Sequence, residues 1–135
     1  MNAMERSKLI LNVDDEENFR EIFQAQLAAA GYQVVTAANG QEAVQKAKAL
    51  KPGLILMDVR MPVMDGIAAA MAIREDQTLN ETKIVFLTSL GDPSAEIQSN
   101  VDARFARGLG FQGYIKKTED LRVIVDKVKE YNSEW

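Results

Sequence analysis

Apolar and polar positions along the chain switch repeatedly between two periods. Leu9-Ile10-Leu11-Asn12-Val13 is a short apolar run that stops at Asp14-Asp15, the signature of a buried strand with acids at its carboxyl end. Phe19, Ile22, Phe23, Gln26, Leu27 and Ala30 then fall at helical spacing, and Gly31 ends the pattern. Gln33-Val34-Val35-Thr36-Ala37 predicts a second strand. Asn39-Gly40 opens a helix with Ala43, Val44, Ala47 and Leu50 on one face, finished before Pro52. Leu54-Ile55-Leu56-Met57 predicts a third strand, again closed by an acid, Asp58. After a loop with Pro62 and Asp65-Gly66, an alanine-rich helix runs from Ile67 to Arg74. Lys83 to Leu87 predicts a fourth strand ending in Thr88-Ser89, and Asp92 or Ser94 can cap a helix reaching about Arg107. Gly113-Tyr114-Ile115 predicts a short fifth strand ending at Lys116. Thr118 is the expected cap of a last helix carrying Leu121, Ile124, Val125, Val128 and Tyr131.

Strict alternation of strand and helix predicts an α/β fold, a doubly wound parallel sheet covered on both faces, because parallel strands need crossover connections. Ligands of such sheets bind outside the carboxyl ends of the strands. Those ends carry Asp14 and Asp15, then Asp58, then Thr88 and Ser89, then Lys116. Three crowded carboxylates repel one another unless a cation joins them, and a hard ion such as Mg²⁺ suits an oxygen-only pocket. A lysine and a hydroxyl beside that ion are what a phosphoryl group needs around it. Singly, each residue has a plainer use: an aspartate caps a helix, a threonine bonds backbone, a lysine meets solvent. Their order on successive strand ends is the specific signal.

Composition narrows the chemistry. The chain has 135 residues, no cysteine and no histidine. Disulfides, thiol nucleophiles, a histidine base and most zinc sites are therefore excluded. The net charge of −4 argues against direct nucleic-acid binding. No apolar stretch is long enough for a membrane span and no signal peptide is visible, so a cytoplasmic location is expected.

The segments Leu-Asn-Val-Asp14-Asp15-Glu16, Leu-Met-Asp58-Val-Arg-Met-Pro62-Val-Met-Asp65-Gly66, Phe-Leu-Thr88-Ser89 and Gly-Tyr114-Ile-Lys116 resemble the receiver domain of bacterial two-component response regulators. The likeness is to the stand-alone, chemotaxis-regulator-like kind, with residues 8–131 as the receiver, 1–7 as an N-terminal tail or remnant and 132–135 as a C-terminal tail. It implies a flavodoxin-like (β/α)5 fold with strand order 2-1-3-4-5. It implies a phosphorelay signalling protein, not an enzyme, that accepts a phosphoryl group on Asp58 from a sensor histidine kinase or phosphotransfer protein and then acts on a downstream target. Mg²⁺ is the implied cofactor, held by Asp15, Asp58 and the backbone carbonyl of Arg60, with Asp14 acting through a water. Lys116 is implied to pair with the phosphoryl oxygens, Thr88 to hydrogen-bond them, and Tyr114 to rotate behind Thr88. The Asp65-Gly66 turn is structural.

Some positions depart from the pattern. Lys117 follows Lys116 where the family has a proline, so a trans bond is expected there. Arg60 and Leu90 flank the path of an attacking water and are expected to set the lifetime of the phosphoryl group. The stretch 91–110 is several residues longer than usual. Alternatives are a degenerate receiver used for protein docking, a Mg²⁺-dependent aspartyl phosphatase of the haloacid dehalogenase type, and a flavodoxin-like cofactor binder. The phosphatase needs two aspartates separated by one residue, whereas Asp14 and Asp15 are adjacent; the cofactor binder needs a phosphate loop that is not there. No output domain is seen after Tyr131, and either a complete protein or part of a longer one fits. Whether the chain forms a homodimer is left open.

Overall fold

The computed structural model describes residues 8–61, 63–88 and 111–132. Five parallel strands form one sheet: β1 (Leu9–Val13), β2 (Gln33–Ala37), β3 (Leu54–Asp58), β4 (Lys83–Thr88) and β5 (Phe111–Lys116), in the order β2-β1-β3-β4-β5. Four α-helices are seen among the described residues: α1 (Glu17–Ala29), α2 (Gly40–Leu50), α3 (Gly66–Arg74) and α4 (Leu121–Asn132). A short 3-10 turn, Gln77–Leu79, leads into β4. The expected doubly wound sheet and its strand order are both present. The helix expected from Asp92 or Ser94 to Arg107 lies outside the described residues, as do Ser89, Leu90, Pro62 and both tails apart from Asn132.

The alternation of the strands builds two cores. Leu11, Val13, Ile55, Met57, Ile84 and Phe86 face α2 and α3. Ile10, Leu54, Leu56, Val85, Leu87 and Ile115 face α1 and α4. Because β1, β3 and β4 are covered on both faces, their sequences read as unbroken apolar runs. Small side chains let two helices lie close to the first face: Ala43 and Ala47 from α2, Ala69 and Ala70 from α3. On the other face Phe23 and Leu27 of α1 meet Ile124, Val125 and Val128 of α4.

Local chemistry sets the helix ends. Asn39 accepts from the Glu42 N–H at 2.9 Å, and Glu42 accepts from the Ala38 N–H at 3.2 Å, a reciprocal cap for α2. Asp65 caps α3 through the Ala68 N–H at 2.8 Å, so its plain reading is the correct one. Gly31, at φ +100°, carries the chain out of α1. Two expectations need correction. The side chain serving the start of α4 is Asp120, which accepts from the Arg122 N–H at 2.8 Å, and not Thr118. Ile22 is not on the buried stripe of α1; it is 51% exposed, because the stripe follows Phe19, Phe23 and Leu27 at steps of four.

Gly66 ties the fold to the carboxyl edge of the sheet. Its N–H donates to the Val59 carbonyl at 2.8 Å, and a Cβ built on it would stand 2.0 Å from the Asp58 carbonyl oxygen. That neighbour is backbone and cannot turn aside. Gly66→Ala is expected to cost about 2–4 kcal/mol in chemical denaturation, since a methyl must displace either α3 or the end of β3. A variant as stable as the parent would mean that the turn after Asp58 yields freely.

Candidate functional site: three carboxylates and a lysine at the carboxyl edge

Register brings the acids together. β1 and β3 pair directly, Val13 opposite Met57, so each strand places its next residue at the same edge. Asp14 and Asp58 are buried there and Asp15 is exposed. Carboxylate oxygens of all three lie within 4.8 Å of one another. Asp14 is no helix cap: its Oδ1 accepts from the Glu16 N–H at 2.9 Å in a tight turn, while the cap position of α1 is Glu16, which makes no side-chain cap. The Asp14 carbonyl accepts from the Arg20 guanidinium at 2.8 Å, which fastens α1 to the end of β1.

The lysine of the site is Lys117. Its Nζ stands 2.9 Å from Asp14 Oδ2, 3.4 Å from Glu16 Oε1 and 3.8 Å from Asp58 Oδ2, with the side chain only 7% exposed. Lys116, the lysine expected here, is exposed at the end of β5. Strand alternation explains the correction. Ile115 belongs to the face covered by α1 and α4, and Lys117 is two residues on, with the same orientation. Lys116 shares its parity with Tyr114, which packs on the opposite face. The Lys117 N–H donates to the Thr88 carbonyl at 2.7 Å and holds the backbone beside β4. With Lys117 as the site lysine, the residue standing in the family's proline place is Thr118. Peptide bonds are trans throughout the described residues.

Burial and mutual repulsion dominate the electrostatics. The Asp58 carboxyl is pushed up to about 8, first by burial and then by the charge of Asp14, with Lys117 opposing and Asp15 adding to the rise. Burial also raises Asp14 against the pull of Lys117. Lys117 itself is raised: burial favours its neutral form, but Asp14, Asp58 and Glu16 together outweigh it. An all-oxygen donor set with two buried, repelling carboxylates is the kind that a hard divalent cation satisfies.

The remaining expected residues lie around this cluster. Thr88 ends β4, buried, one residue beyond the Leu87 that pairs with Asp58. Tyr114 is half-buried on the same side of the sheet as Phe86, whose ring it stacks on at 5.7 Å and 27°. Arg60 is exposed and, with Val59, Met61, Asp65, Ile67 and Ala68, lines a cavity of about 540 Å³ beside the β3–α3 loop.

The raised Asp58 pKa fixes the sign of a pH dependence in metal-free protein. The native state holds this proton more tightly than the unfolded chain, so its contribution to stability is complete below about pH 4 and is lost as pH rises toward 8. Asp58→Asn keeps the shape without the charge. With chelator present, its advantage over the parent is expected to grow from pH 5 to pH 8 and to reach at least about 1 kcal/mol, a few degrees in melting temperature. A difference that stays flat across that range would contradict the repulsion.

Comparisons with known proteins identify the family. The family model for the response regulator receiver domain matches residues 10–129. The alkaline phosphatase synthesis transcriptional regulatory protein PhoP of Bacillus subtilis is 34% identical over 123 residues, 91% of this chain and 48% of PhoP. The chain thus spans about half of that relative, and 36% of a probable transcriptional regulator ycf27 from Cyanophora paradoxa that is 40% identical over 90 residues, 67% of this chain. Among solved structures, the chemotaxis response regulator CheY4 of Vibrio cholerae superposes with a TM-score of 0.76 at 30% identity, covering 90% of this chain and 96% of that one. The chain belongs to the response regulator receiver domains, the phosphorylated signalling domains of two-component systems.

Proposed function

We propose that Asp58 is the phosphoacceptor of this receiver and that Lys117, with Thr88, is its phosphoryl-binding partner. The observation that carries the reading is the convergence of the Asp14, Asp15 and Asp58 carboxylates at the carboxyl edge of the sheet, with the buried Lys117 ammonium facing two of them, Asp14 and Asp58. An ionised Asp58 oxygen attacks the phosphorus of a phosphohistidine on a histidine kinase or phosphotransfer protein. The P–N bond breaks as the P–O bond forms, and the departing imidazole takes a proton from solvent. A carboxylate needs no base to become a nucleophile once its charge is balanced, which suits a chain without histidine. Lys117 can turn from Asp14 toward the incoming phosphoryl oxygens, offering a charge-assisted donor.

The clustered oxygens of Asp14, Asp15 and Asp58 suit Mg²⁺; Asp15, Asp58 and the Arg60 carbonyl would hold it directly and Asp14 would act through a water. Bound there, the ion would supply positive charge to the phosphoryl oxygens and hold Asp58 in its ionised form. Tyr114 and Thr88 share one face of the sheet, which supports a switch in which a phosphoryl-bound Thr88 frees space for the ring. The domain acts as a signalling element, not as an enzyme, on a downstream protein. No helix among the described residues is long and apolar enough to cross a membrane; a cytoplasmic location is proposed from membership of the receiver family.

Mass spectrometry after incubation with acetyl phosphate and Mg²⁺ tests the assignment. The adduct is expected on Asp58, absent in Asp58→Asn, slowed at least about tenfold in Lys117→Ala and near the parent rate in Lys116→Ala. Labelling of Asp58→Asn at another residue, or sensitivity at Lys116 alone, would overturn it. The Arg60 side chain, long enough to reach a phosphoryl oxygen, and the apolar Leu90 are proposed to keep water from attacking in line. The double variant Arg60→Asn with Leu90→Glu should lose its phosphoryl group several-fold faster once donor is removed. Decay at or below the parent rate would show that these side chains do not gate the water.

A further inference from the structure

The Lys117 ammonium has a further neighbour besides the carboxylates of Asp14, Glu16 and Asp58: its Nζ lies 4.5 Å from the centroid of the Phe19 ring. Phe19 sits in the first turn of α1 and is half-buried. Its ring stands against Phe23, centroids 5.4 Å apart and planes at 45°, and Phe23 is fully buried among Leu27, Ile115 and Val125. A continuous contact therefore runs from the core through two rings to the site lysine. The carboxylates alone fix the lysine poorly. Asp14 Oδ2, though 2.9 Å away, receives no well-directed hydrogen bond, Glu16 Oε1 accepts only a long one at 3.4 Å, and Asp58 stands off at 3.8 Å. A ring face attracts a desolvated ammonium from any angle above it, without demanding a direction.

We propose that Phe19 is a positioning residue for phosphoryl transfer, its ring face holding the Lys117 ammonium over the carboxylate cluster while leaving it free to re-aim at a phosphoryl group. The proposal rests on the reading of Lys117 as the phosphoryl-binding cation. The ring serves both ends of that movement. It excludes water from an ammonium that must stay charged, and it resists collapse of the lysine onto Asp14 alone. A leucine at this place would fill much of the same space against Phe23 but would offer no negative face.

The test compares Phe19→Leu, Phe19→Tyr and protein carrying pentafluorophenylalanine at position 19, which keeps the ring's shape and withdraws its negative face. Initial rates of labelling by acetyl phosphate at saturating Mg²⁺ are expected to fall about three- to tenfold in the leucine and fluorinated proteins and to remain near the parent rate in Phe19→Tyr. The ε-methylene protons of Lys117, shifted upfield by the ring current in the parent, should move downfield in Phe19→Leu. Parent rates in both the leucine and fluorinated proteins would overturn the proposal, as would a tyrosine variant no faster than leucine. If Phe19→Leu does not fold, the fluorinated protein decides alone. Lys117→Ala separates the two levels: parent-like labelling in that variant would defeat the reading of Lys117 itself, whereas slowed Lys117→Ala beside unaffected position-19 proteins would defeat only the role of the ring.

Discussion

Repulsion between buried carboxylates, answered by one lysine, is the constraint on which this molecule turns. Asp14 and Asp58 leave adjacent parallel strands at the same edge and have little contact with water. Neither can ionise cheaply while the other is charged. Lys117 relieves part of the strain, at the cost of burying its own ammonium. What remains is a site that gains from any further positive charge, and from any group that brings oxygens for Lys117 to hold. A receiver domain exploits that imbalance. Phosphorylation at the proposed acceptor, Asp58, would change the charge at the centre of this arrangement.

The fold's contribution is to make this arrangement rigid. Two apolar clusters clamp the sheet from both sides, so the strand ends cannot drift apart to lower the repulsion. Gly66 lets α3 start against the Asp58 carbonyl, and Arg20 ties α1 to the end of β1. The same α1 carries Phe23 into the core and Phe19 to the lysine. On the other face, Phe86 links Phe111 and Tyr114 in one aromatic row beneath Thr88. The site is thus backed by packed side chains on either side.

Much of this was legible in the chain. The apolar runs and the acids that close them located β1 and β3, and the alternation of strand and helix gave the doubly wound sheet. Asp14, Asp15 and Asp58 were legible as a cluster because parallel strands deliver their carboxyl ends to one edge. Two neighbouring lysines were harder. Lys116 and Lys117 are chemically identical, and only the parity of β5 separates them, since Ile115 and Lys117 share the α1 side while Tyr114 and Lys116 share the other. Counting from Ile115 would have found the right one. Phe19 gave no such signal: an aromatic in the first turn of an amphipathic helix reads as core, and its contact with Lys117 joins residues far apart in the chain. The cap of α4 was misplaced for a local reason, because Thr118 and Asp120 are both good caps and two residues apart.

The most direct test of the central account is a double-mutant cycle between Lys117 and Asp58 in metal-free protein at pH 8. Lys117→Met alone should destabilise strongly, because it leaves two repelling carboxylates without their ammonium. In the Asp58→Asn background the same change should cost markedly less, a coupling of at least about 1 kcal/mol. An equal cost in both backgrounds would show that Lys117 does not balance Asp58, and that the charge arrangement described for this site is wrong.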